Sequence, residues 1–215
     1  MIAAVIADIV RSRELGDRAE AQRAIATAVA RAEGDIPLAL APLTAVVGDE
    51  LQGEYATIGA AVASLLLVRL NLPDGVDCRF GVGFGEVRPV ELDGRTIPEG
   101  PAWWAARAAI ERVETMQQRL APLARTWVEA SESADAAVRH EVALANAYVL
   151  SRDHLVSSMS ERTRRLTYGR CLGRSQRDLA ADEGITQSAV SQALASAGSA
   201  AVVEGFLTLS SGSAS

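Results

Sequence analysis

Lysine is missing from this chain: all 21 basic residues among its 215 are arginine. A Walker-type phosphate-binding lysine, a Schiff-base lysine and a Ser-Lys dyad are therefore excluded. Histidine occurs only as His140 and His154, too sparse and too far apart in sequence to suggest a zinc site. Cys78 and Cys171 fit no metal spacing and no disulfide framework, the usage expected of a reducing cytoplasm. Long apolar runs are absent too. Asp8 interrupts the N-terminal run before it reaches signal-peptide length, and the longest later stretch, Ala60–Val68, has nine residues including Ser64. A bilayer span needs about 20, so the expectation is a cytoplasmic protein that meets no membrane. Aromatic residues make up only 4% against 49% hydrophobic residues, which implies an aliphatic, alanine-rich core. A net charge of −6 argues against non-specific coating of nucleic acid but leaves room for a local basic module.

What is present divides the chain. Residues 2–10 (IAAVIADIV) read as a buried central strand and 17–33 as a helix. LTAVV at 43–47 and LQGEY at 51–55 are short strands around Gly48-Asp49, a pair suited to a tight hairpin. Residues 57–71 form an apolar helix ended by Asn71 and Pro73. Residues 77–87 form a strand, 101–120 a helix opened by Pro101, and 125–129 a last strand. After Ser131 the pattern is helical only. Residues 1–151 carry fourteen arginines against twenty-one acids, and 152–215 seven against six. The expected organisation is an α/β domain over 1–130, a connecting helix over 131–152 that could serve as a dimer stalk, a helical module over 153–210 and a disordered tail over 211–215.

Residues 176–195 (QRDLAADEGITQSAVSQALA) have the register of a helix-turn-helix. Leu179 and Ala180 form the inner face of the first helix, Gly184 suits a left-handed turn, and Thr186 sits at an N-cap. Ile185, Val190 and Leu194 are spaced to pack the second helix back. That leaves Gln187, Ser188, Ser191 and Gln192 facing outward, short polar side chains able to hydrogen-bond base edges in a major groove. Arginines lie just upstream, Arg174 and Arg177 nearest, where phosphate contacts would help. A plain helical hairpin used for dimerisation is the competing reading. The stretch resembles the helix-turn-helix of sigma-factor-like and other bacterial regulators, and that resemblance implies DNA as a partner.

In the first domain, Asp8 ends a buried strand and Asp49 sits at a hairpin tip. If those strands are neighbours, the two carboxylates converge, and hard oxygens of this kind suit Mg²⁺ or Mn²⁺ together with a ligand's phosphates. Ser12 and Arg13, just after Asp8, could cradle phosphate oxygens. Taken singly, Asp8 is equally a strand-end cap and Asp49 a turn residue. Gly81, Gly83 and Gly85 alternate along one strand face; this is no dinucleotide fingerprint, and it predicts close packing of a helix, the one holding Trp103 and Trp104.

The order ADI, GDE in a hairpin, RFGVGFGEV and GPAWWAAR resembles the catalytic core of class III nucleotidyl cyclases. The resemblance covers roughly residues 1–130 and implies an α+β fold of ferredoxin-like, palm-related type. It also implies metal-binding roles for Asp8 and Asp49 and a triphosphate-steadying role for Arg107. Ala45 stands where such cyclases carry a base-selecting lysine, Trp103 where they carry an asparagine, and Arg11 and Ser12 replace the glycine and aromatic after the first strand. End to end the chain is also similar to the SatD family. The residues concerned are Asp8, Ser12 and Arg13, Arg18 and Gln22, GDELQG at 48–53, GPAWWAAR at 100–107 and ITQSAVSQAL at 185–194. The combined expectation is a homodimeric DNA-binding regulator that senses a nucleotide or other phosphorylated small molecule through a degenerate cyclase-like domain. The alternative is an active cyclase or nucleotidyltransferase, with Arg107 catalytic, carrying a DNA-binding tail.

Overall fold

The computed structural model describes residues 1–11, 16–88, 90–92, 95–97 and 99–211. Strand β1 (Ile2–Ile9) leads to helix α1 (Arg18–Asp35), the hairpin of β2 (Ala39–Val47) and β3 (Glu50–Tyr55), then α2 (Ile58–Asn71). Next come β4 (Cys78–Gly85), a separate small hairpin of β5 (Val90–Leu92) and β6 (Arg95–Ile97), α3 (Pro101–Arg119) and β7 (Thr126–Ala130). Helices α4 (Ala136–Ser157), α5 (Glu161–Cys171), α6 (Gln176–Glu183), α7 (Gln187–Ser196) and α8 (Ser199–Ser211) complete the chain. The result is a mixed α+β fold with eight helices among the described residues. Its main sheet runs β2-β3-β1-β4-β7, antiparallel except for the β4–β7 pair.

Alternation along β1 sets the two layers. Ala3, Val5, Ala7 and Ile9 face one core, shared with α1 and α2, while Ala4 and Ile6 face a second core under α3. Helix α2 is apolar on every side because it is enclosed: α1, the sheet, α5 and α8 all touch it. Helix α3 lies close on β4. A Cβ at Gly81 would come 2.4 Å from the Ala106 oxygen, one at Gly83 2.0 Å from the Ala102 oxygen, and one at Gly85 2.8 Å from the Ser131 Cβ. The glycine alternation therefore serves helix packing, and Trp103 is buried in the second core while Trp104 is 64% exposed.

The far edge of the sheet is closed by α4. Asn146 Oδ1 accepts from the Val128 amide and its Nδ2 donates to the Val128 carbonyl, both at 2.8 Å. Two helical turns on, Asp153 accepts from the amides of Arg125 (2.8 Å) and Thr126 (2.7 Å). Asp153 is wholly buried and also binds the guanidinium groups of Arg69 (2.8 Å) and Arg152 (2.7 Å). Burial alone would push the Asp153 carboxyl up, but the two arginines and the backbone amides hold it below the usual carboxylate range. Residues 136–152 of the expected connector thus lie in α4, which packs on β7 and the main core. Likewise Tyr168, Cys171, Val202, Val203 and Phe206 belong to the main core. Only Leu166, Leu179, Ala180, Val190 and Leu194 form a small core of their own. The β5–β6 hairpin is an addition to the expected elements.

Candidate functional site

Asp8 lies on the α3 side of β1, directly opposite Arg79 of β4. Arg79 forks the carboxylate, Nε donating to Oδ1 at 2.8 Å and Nη2 to Oδ2 at 2.7 Å. Its Nη1 reaches Glu114 of α3 at 2.9 Å. Burial works against charge on Arg79; the hydrogen bond and charge of Asp8, joined by Glu114, outweigh it and raise the arginine's pKa. Beside this triad, Arg107 of α3 holds Glu50 of β3 through two bonds of 2.8 Å. That contact lowers the Glu50 pKa against the opposing effect of burial.

Asp49 sits at the tip of the β2–β3 hairpin, where Gly48 takes a left-handed φ of 64°. Helix α1 grips this tip with two side chains one turn apart. Arg18 pairs with Asp49 at 3.6 Å, and Gln22 Nε2 donates to the Gly48 carbonyl at 2.8 Å. Asp8 and Asp49 line one open cleft of about 1460 Å³ at this end of the sheet. Its other walls are the α2–β4 loop, the end of α3, the loop before β7, and Val156, Ser157 and Arg164. Six arginines (Arg11, Arg18, Arg69, Arg79, Arg125 and Arg164) and five acids face it. Arg11 takes a left-handed φ of 54°, uncommon for a side chain of its size. Ser12 and Arg13, expected to cradle phosphate, lie outside the described residues.

The donor set at Asp8 and Asp49 does not fit the expected Mg²⁺ or Mn²⁺. Both oxygens of Asp8 accept from one guanidinium, and Asp49 is paired with Arg18. No group of three or more His, Cys, Asp or Glu side chains is arranged for a metal ion among the described residues. A dication on Asp8 would face the fixed charge of Arg79 across a single carboxylate.

In the C-terminal part, Gly184 ends α6 with φ 63° and ψ 34°, and the Thr186 side chain accepts from the Ala189 amide as the N-cap of α7. Gln187, Ser188, Ser191 and Gln192 are all exposed on α7. Arg177 is exposed on α6, while Arg174 pairs with Asp182 at 2.5 Å. Other arginines upstream are tied to acids: Arg165 to Glu161 and Glu183 at 2.8 Å, and Arg164 to Asp74 at 2.7 Å.

The family pattern described as the SatD family matches residues 2–203. The chain belongs to the SatD family. Among curated proteins, none matches it. Solved structures to which this SatD protein is similar include adenylyl cyclases. One is a bacterial light-regulated adenylyl cyclase, 13% identical over 56% of this chain and 71% of that one, with a TM-score of 0.41. A second structure of a bacterial light-regulated enzyme gives 14% identity, 56% and 41% coverage and 0.40. The adenylyl cyclase CyaB from P. aeruginosa gives 14%, 55% and 81%, and 0.38.

In this SatD chain the residues that sequence reasoning passed over are the counter-ions. Arg79 and Glu114 complete the Asp8 triad, and Glu50 is the partner of Arg107. Arg79 had no local signal: it falls opposite Asp8 through the antiparallel register of β1 with β4, in which Ile6 faces Gly81 and Ala7 faces Phe80. No single helix among the described residues is long and apolar enough to cross a membrane.

Proposed function

We propose that this SatD protein is a DNA-binding regulator. Its first part, read as a degenerate nucleotidyl cyclase-like domain of ferredoxin-like layout, holds a nucleotide or related phosphorylated ligand in the arginine-lined cleft. The observation that carries the reading is the outer face of α7. Four short polar side chains lie exposed together on a helix of ten residues that starts from a hydroxyl N-cap and rests on its own small core. Such a face suits base edges in a major groove, with Arg177 and Arg174 directed at phosphates. A homodimer would present two such helices to two half-sites.

Helix α5 supplies a path between the two parts. Its Arg164 lines the cleft and donates to the Leu72 carbonyl at 3.1 Å, its Tyr168 and Cys171 sit in the main core, and its Leu166 lies beneath α7. A ligand that prefers one placement of α5 would shift the orientation of α7 by the same preference. Nucleotide transfer is less well supported. Arg107 is engaged by Glu50, and the lysine and asparagine positions of the cyclase pattern hold Ala45 and Trp103.

The test is selection of duplexes from a random DNA library by the full chain, followed by anisotropy titrations at one fixed ionic strength, since phosphate contacts make affinity salt-dependent. The expected result is an enriched motif. Gln187→Ala with Gln192→Ala should weaken its binding by about 1–3 kcal/mol per lost base contact, with an unchanged melting curve because both side chains are exposed. A motif bound equally well by the double variant, or no motif at all, overturns the reading. Formation of a cyclic nucleotide from ATP or GTP, abolished by Asp49→Asn, would put catalysis in its place.

A further inference from the structure

We propose that the guanidinium of Arg79 is a built-in replacement for a divalent cation, so that the cleft of this SatD protein takes its anionic guest without a metal ion. The statement about the guest rests on the functional reading above; the statement about the cation stands on geometry alone. Three features of the triad carry it. Asp8 and Arg79 are direct partners across antiparallel strands, so their pairing is fixed by sheet register and not by chance rotamers. Arg79 spends its fork on Asp8 and its remaining terminal nitrogen on Glu114, at 2.7–2.9 Å, which is the geometry of charge-assisted bonds. Its side chain is only 13% exposed, against 30% for Asp8 and 49% for Glu114. The cation is thus the innermost member, as a metal ion would be, and the carboxylates form its outer shell.

The position of Glu114 belongs to the same device. It rides on α3, which reaches β4 because Gly81 and Gly83 carry no side chains. Without a positive charge between them, Asp8 and Glu114 would be two carboxylates converging on one point. Arg79 supplies that charge permanently, since a guanidinium keeps its proton at any accessible pH. Other arginines that line the cleft are engaged by acids, Arg18 by Asp49, Arg69 by Asp153, Arg125 by Asp77 and Arg164 by Asp74, so an anionic guest would compete with those carboxylates for them.

The probe is Mn²⁺ alone, titrated by calorimetry or followed by its electron paramagnetic resonance signal, with the full chain and no nucleotide. The wild type should show no Mn²⁺ site that Asp8→Asn removes. Arg79→Ala should create one, with affinity at least about tenfold above any in the wild type, and adding Asp8→Asn should abolish it. Arg79→Gln keeps the stem and drops the charge; it gives the same readout if the alanine variant does not fold. Arg79→Lys keeps the charge and should stay blind to Mn²⁺. A wild-type Mn²⁺ site lost in Asp8→Asn overturns the proposal. So does an Arg79→Gln variant that folds yet binds no more Mn²⁺ than the wild type, because Arg79 would then not be what keeps the ion out. Failure of DNA or nucleotide binding leaves these outcomes untouched, so the two readings fail separately.

Discussion

Gly83→Ala adds one methyl group and should disable the layer that carries the candidate site. An ideal Cβ at this position lies 2.0 Å from the Ala102 carbonyl oxygen and 2.1 Å from the Ala106 amide nitrogen. Both are backbone atoms of α3, so no rotamer change relieves the collision. Ordinary contact begins at 3.4 Å, which forces the helix away from β4 by more than an ångström. Retreat pulls Ala102, Trp103, Ala106, Ile110 and Val113 off Ala4 and Ile6, and it lifts Arg107 and Glu114 from Glu50 and Arg79. Overpacking costs about 1–3 kcal/mol when side chains can give way; against backbone, about 3 kcal/mol or more is expected. In a chain of this size each kcal/mol lowers Tm by about 2–4 °C, so the drop should be about 6–12 °C. Thermal and urea melts followed by circular dichroism measure it. Gly34→Ala in α1 is the control: nothing lies within 4 Å of its added Cβ, and it should be neutral or stabilising by up to about 1 kcal/mol. Gly53→Ala, with backbone neighbours at 3.1 Å, should fall between the two. If Gly83→Ala melts together with Gly34→Ala, the close approach of α3 is not what positions this site.

Asp153→Asn takes the acid partner from buried Arg152 and leaves buried Arg69 with only the more distant Asp77, at 3.8 Å, and should cost about 3–5 kcal/mol in urea melts at pH 7; a loss below about 1 kcal/mol would refute the role given to the network. Because the folded Asp153 pKa is depressed, its contribution is present above the unfolded value of about 3.9 and is lost as pH falls toward the folded one. The variant's stability should therefore fall less steeply than that of the wild type below about pH 4. Burial pushes both thiols up, Cys171 to about 12, so a disulfide reagent should label neither Cys78 nor Cys171 until the chain unfolds. Rapid labelling of the native protein would show that the α2–β4 junction or α5 opens locally.

Much of this fold was legible because its signals are local. The buried run of β1, the Gly48-Asp49 turn, the Pro101 start of α3 and the Gly184–Thr186 turn each reside in a few consecutive residues whose conformational demands are plain. The β5–β6 hairpin was not read from the sequence, because strands of three residues are too short to show an alternation. The helical run from 131 onward was visible as helices, but not as a continuation of the core. Its buried residues, such as Val149 and Tyr168, find their partners across the sheet and α2, at separations no local pattern encodes. The same limit applied at the site. Asp8 and Asp49 stood out by type and position, and they do line one cleft. Arg79, Glu114 and Arg18 come from three further elements, and only the register of β1 with β4 and the seating of α1 and α3 make them neighbours.

Asn146 and Asp153 do on α4 what another strand would do: they occupy the Thr126 and Val128 amides and the Val128 carbonyl of β7. The sheet is therefore finished on that side, and among the described residues any newcomer strand must approach from β2. That border is a poor template. Pro42 offers no amide, and the ladder with β3 slips between Ala39 and Ala41, between Ala41 and Thr44, and between Ala45 and Val47. One margin is plugged and the other is crooked, so the molecule resists stacking into longer sheets while leaving Leu40 and Val46 bare to water.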